Sequence, residues 1–151
     1  MNQQHSKPHE RRQGRQSQRE NPEDVFRREL SHHFGDLYDQ ILSPQKKDYN
    51  AFIEKVKGYV QKDVKNINST QLRNVFSRVK KVNTVGDLYL LRPQLAYVSG
   101  RAEKNDAMKK LMYLFDDLIQ KVDSGDKLEE FKSFFEAIIA YHKYFGGDKQ
   151  L

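Results

Sequence analysis

The sequence predicts an all-α fold, a compact bundle of five or six helices behind a disordered basic N-terminal tail. Three observations predict it. Apolar residues recur at three- and four-residue spacing from Phe26 to Phe145. No segment of useful length alternates with period two, as a half-buried strand would. Capping residues, prolines and glycines punctuate the helical pattern at short intervals. At 151 residues the chain has the size of one domain, and it divides into a tail, residues 1–22, and a helical bundle domain, residues 23–151.

The tail holds Gln, Arg, Ser, Asn, His and Glu, with no aliphatic or aromatic residue after Met1. It cannot bury enough surface to offset the entropy of ordering it, so disorder is expected. Asn21-Pro22-Glu23-Asp24 then starts a helix, with a capping side chain, proline in the first turn and acids favoured by the dipole. Phe26, Leu30, Phe34, Leu37 and Ile41 carry its apolar stripe to about Leu42, and Ser43-Pro44 breaks it. A second helix is expected from about Gln45 to Lys65, turning Tyr49, Phe52, Val56, Tyr59 and either Val60 or Val64 inward.

Asn68 caps a third helix, with Gln71 at the capping-box position and Ile67 and Leu72 placed for a hydrophobic staple. Its inward residues are Leu72, Val75, Phe76 and Val79. Arg73, Ser77, Lys80 and Lys81 lie on another side, with Arg78 beside them and no acid among them. Leu88, Leu91, Leu95 and Val98 mark a further helical stretch, which Pro93 kinks or restarts. Asn105 or Asp106 caps the next helix, whose Met108, Leu111, Met112, Phe115, Leu118, Ile119 and Val122 keep three-four spacing.

After Ser124-Gly125-Asp126, the last helix packs six aromatics between Phe131 and Gly147. Phe134, Ile138, Tyr141 and Phe145 form one stripe and Phe131, Phe135, Ile139 and His142 its neighbour. So wide an apolar arc must be gripped on several sides, by other helices or another subunit. Gly146-Gly147 stops the helix.

Charge is unevenly placed. The chain carries a formal +6. From Arg73 to Lys104 the bases Arg73, Arg78, Lys80, Lys81, Arg92, Arg101 and Lys104 face only Asp87 and Glu103, whereas residues 23–72 balance and residues 105–151 are slightly acidic. A central cationic segment of this kind points to a polyanion as partner. No cysteine occurs, which excludes disulfides, thiolate metal sites and cysteine nucleophiles and fits a reducing cytoplasm. No apolar run spans a membrane.

Enzyme chemistry finds no constellation to work with. There is no P-loop, GxGxxG, GxSxG or HExxH. His32 and His33 point about 100° apart on a helix, a poor metal pair. His142 lies within the aromatic arc, where it reads as a hydrogen-bonded core or interface histidine. Asp116-Asp117 and Glu129-Glu130 read as solvated helix faces. No catalytic residue, metal or cofactor is expected.

Three segments carry a resemblance: Ile67–Asn74 (INSTQLRN), Leu91–Arg101 (LRPQLAYVSGR) and Phe134–Gly147 (FFEAIIAYHKYFGG). In this order and at these separations they resemble the Csm small subunit of type III-A CRISPR effector complexes, over roughly residues 25–147. Arg92, Gln94 and Val98-Ser99 depart mildly from that family's central motif, and the arginine-rich tail is no part of it. The resemblance implies an all-helical, non-catalytic RNA-binding subunit of antiviral defence, present in several copies beside backbone subunits and a large polymerase-like subunit. It also implies contact with target RNA and its duplex with guide RNA.

Two sets of site residues follow as expectations. Arg73, Arg78, Lys80, Lys81, Arg92, Arg101 and Lys104 form a sequence-independent RNA face. Tyr141, Tyr144 and Phe145 pack on a neighbouring copy or a backbone subunit. From another class, a small helical DNA-binding regulator would enter a major groove with the Arg73–Lys81 helix and read bases through Thr70, Gln71 and Asn74. A helical adapter binding protein alone is third.

Overall fold

The computed structural model describes residues 20–147. The tail expected over residues 1–22 lies outside them up to residue 19. Among the described residues seven α-helices follow in chain order: α1 Pro22–Phe34, α2 Tyr49–Lys62, α3 Ser69–Lys80, α4 Val85–Tyr89, α5 Arg92–Arg101, α6 Asp106–Lys121 and α7 Gly125–Tyr144. Short 3-10 turns occupy Gly35–Gln40 and Val64–Asn66, and no strand occurs among the described residues. The all-α bundle is therefore what forms.

Side-chain caps fix the helix starts. Asn21 accepts the Glu23 amide at 2.9 Å, Asp48 the Ala51 amide at 3.0 Å, and Asn68 the Thr70 and Gln71 amides at 2.9 and 3.2 Å. Thr84, Asn105 and Ser124 do the same for α4, α6 and α7. Each such bond satisfies an amide that the first turn leaves without a partner.

Three boundaries differ from the sequence expectation. Helix α1 ends at Phe34 because Gly35 turns to φ 56°, a conformation glycine adopts without a side-chain clash. The chain then tightens into a 3-10 turn, yet Ile41 and Leu42 remain buried, so the apolar spacing outlives the helix. Helix α2 starts at Tyr49, where the Asp48 cap puts it. Tyr49 is 58% exposed rather than inward, while Val60 and Val64 are both buried. Between Leu88 and Leu95 the stretch divides into α4 and α5, with Pro93 in the first turn of α5 and Leu90 exposed at the break.

The core centres on α6 and α7, which meet through rings. Phe115 of α6 stacks on Phe135 of α7 at 4.3 Å and meets Phe131 and Phe134 edge-on at 6.0 and 6.4 Å. Phe34 of α1 and Phe52 of α2 both approach Phe134 at 6.4 Å, and Phe76 of α3 stacks on Phe135 at 5.8 Å. Four helices thus grip the arc of α7, as its width requires. Each large side chain so buried contributes about 1.5–3 kcal/mol.

Charged ties cross the edges of this core. Lys46, nearly buried, meets Glu130 at 2.8 Å, and Lys110 of α6 bridges Asp63 at 2.7 Å and Glu29 of α1 at 3.1 Å. Desolvation pulls the Lys110 ammonium down, but its two carboxylate partners outweigh that and hold it above the ordinary lysine range. The Tyr59 hydroxyl is buried without a hydrogen-bond partner among the described residues, and burial raises its pKa well above the usual tyrosine value.

Candidate nucleic-acid interface

Helix α3 lies on α7 through Leu72, Val75, Phe76 and Val79, all buried or nearly so. Its start is clamped from the far end of the chain. Ser69, buried, donates its hydroxyl to the Gly147 carbonyl, and His142 Nε2 lies 2.9 Å from the Ile67 carbonyl oxygen. The expected core role of His142 thus takes the form of a bond that fixes the entry to α3. Gly147 presses on the His142 ring, and a Cβ there would run into the imidazole.

With its inner face so fixed, α3 turns its cations outward. Arg73, Arg78, Lys80 and Lys81 are all exposed, and the helix contains no acid. On a helical wheel Arg73 and Lys80 fall on one flank of the apolar stripe and Arg78 on the other, with Lys81 on the solvent side between them. Arg78 and Lys81 have no partner among the described residues. The Lys80 ammonium sits 5.4 Å from the Phe76 ring centroid, so its stem covers part of the core while its charge stays in solvent.

The other three expected cations lie elsewhere. Helix α5 packs on α6. At its start Arg92 makes a forked pair with Asp116 of α6, Nε to Oδ1 at 2.8 Å and a second hydrogen bond at 3.4 Å. Donation to the Asp116 carboxylate holds the guanidinium above its ordinary pKa. Arg101 stands at the opposite end of α5, about 13 Å away at 1.5 Å per residue. Its Nη1 donates to the Tyr97 hydroxyl at 3.3 Å. Lys104 is exposed in the turn that follows. The seven residues therefore form two groups on two helices, and Arg92 is already paired.

At the end of α7, Tyr144 is 70% exposed, while Tyr141 and Phe145 are half-buried. The three rings touch one another, Tyr144 and Phe145 at 5.1 Å, and Lys57 of α2 lies 5.7 Å from the Tyr144 ring. Tyr97, 61% exposed, was missed by sequence reasoning. Its signal was its position two residues from Leu95, about 200° around α5 from the apolar stripe.

A family model described as Csm2 Type III-A matches residues 46–148, more than half of the chain. The chain belongs to the Csm2 Type III-A family. This Csm2 chain is thus a small subunit of a type III-A CRISPR complex, which assembles with other Csm subunits, as the resemblance implied. The match holds α2 through α7 together with both cationic groups and the exposed tyrosines, whereas α1 precedes it. No curated protein and no solved structure matches the chain. No described helix of this Csm2 is long and apolar enough to cross a membrane, and no described cluster of His, Cys, Asp and Glu could hold a metal ion.

Proposed function

We propose that this Csm2 is a non-catalytic brace for RNA, which lines the path of target RNA and guide RNA through sequence-independent contacts to phosphate. The observation that carries this reading is the solvent-exposed arc of α3, along which Arg78, Lys80 and the C-cap Lys81 are exposed on a helix without an acid. Arg73, Arg101 and Lys104 extend it, and Arg92 joins only if it leaves Asp116. Base pairing between guide and target supplies sequence selection, so the protein has no need to read base edges. Positive charge along a rigid helix suits a phosphate backbone.

The rings of Tyr141, Tyr144 and Phe145 are proposed as the contact to a further copy of the chain, a backbone subunit or the large polymerase-like subunit. Tyrosine suits such surfaces because its ring is buried while its hydroxyl finds a polar partner. The working place is the cytoplasm, and the folded unit begins near residue 23. The DNA-regulator alternative is disfavoured by the connection into α3. The connection over residues 63–68 contains the 3-10 turn Val64–Asn66, with Val64 and Ile67 buried, and is longer than the three- or four-residue turn of a helix-turn-helix.

The test is RNA binding by the full chain across a salt series. Replacing Arg78, Lys80 and Lys81 together by Ala should weaken unrelated RNA sequences alike and flatten the salt slope by about 0.7–0.9 for each phosphate no longer neutralised. Unchanged affinity and slope would dismiss the α3 face.

A further inference from the structure

Helix α5 carries a feature that phosphate contact alone leaves without a use. Tyr97 projects from its solvent side, 61% exposed. Arg101, one turn on, brings its guanidinium to 5.8 Å from the ring centroid and donates to the hydroxyl. The neighbours on this side are small and exposed, Ala96 and Gly100, and a Cβ added to Gly100 would meet nothing within 4 Å. Lys104 follows three residues beyond Arg101, and Glu103 is the one acid between Arg92 and Lys104. An aromatic ring thus stands largely open to solvent, with the Arg101 guanidinium over one side of it.

From this geometry we infer that Tyr97 and Arg101 form a stacking platform for an unpaired nucleobase of an RNA strand, deepening the RNA reading above and resting on it. Every base has a π face, so stacking on an aromatic ring is tolerant of sequence, as the phosphate contacts are. Arg101 is placed to meet the phosphate next to the stacked base while its hydrogen bond to the hydroxyl holds the ring in position. The charge around the ring decides between occupants. A polyanionic strand is attracted by Arg101 and Lys104, whereas a second copy of this cationic chain would bring like charge to the same spot.

The chain contains no tryptophan, so Tyr97→Trp in the full-length protein places a single fluorescent reporter at the platform. Short single-stranded RNA should quench its emission, and an RNA duplex of the same length should not. Tyr97→Ala should weaken single-strand binding by about five- to 100-fold with the salt slope unchanged, while Tyr97→Phe retains most of the affinity. Arg101→Ala should flatten the slope by about 0.7. Wild-type affinity in Tyr97→Ala, alongside weakened binding in the α3 triple variant, overturns the platform and leaves the phosphate-binding reading standing. Loss of self-association at unchanged RNA affinity assigns the ring to a copy of the chain and overturns it equally. Absence of RNA binding by the unaltered chain removes both readings.

Discussion

Helices α3 and α5 both reach solvent with arginines and lysines, but they are moored differently. Helix α3 is held by the Phe76–Phe135–Phe115 stack and by two bonds to backbone carbonyls at its start. None of these uses an arginine or a lysine. Helix α5 rests on α6, whose outer edge offers Asp116, and Arg92 is taken up in that pairing. The charge a helix presents to a partner therefore depends on what its neighbour shows beneath it, and a count along the sequence misses this.

The comparison can be broken first at the mooring of α3. Phe135→Ala removes the ring shared by both stacks and should cost about 3–5 kcal/mol in urea unfolding. A change under about 1 kcal/mol would mean that the stack does not hold α3. Gly147→Ala acts at the other end of the same helix by displacing the His142 ring. We expect about 1–3 kcal/mol of destabilisation, typical of overpacking, with faster amide exchange at Thr70 and Gln71. Protection at those amides equal to wild type would show that the clamp is dispensable. The smallest effect sharpens the α5 side. Asp116→Asn should change stability by no more than about 1 kcal/mol, because the pair is exposed and screened. It releases Arg92, and the RNA salt slope should then steepen by up to about 0.9. An unaltered slope would place Arg92 off the RNA path.

Much of this architecture was legible because it is local. The caps at Asn21, Asn68 and Asn105 and the three-four spacing of α6 are properties of neighbouring residues, and the structure repeats them. The end of α1 was not legible from apolar spacing, because Leu37, Ile41 and Leu42 continue the pattern through a 3-10 turn that Gly35 imposes. The cationic residues were legible as a charge excess. The state of Arg92 was not, since its partner lies 24 residues away on another helix. The exposure of Tyr97 was legible only through its angle to Leu95, about 200° around the helix, and not through charge or residue type.

The clamp on α3 has a consequence for how the chain comes into being. Ser69 and Gly147 are 78 residues apart and Ile67 and His142 are 75 apart. During synthesis the cationic helix leaves the ribosome long before the residues that lock its first turn. Its seating therefore waits for the end of α7 and the residues after it, and removing His142 and Gly147 would unfasten partners that lie 75 and 78 residues upstream of them.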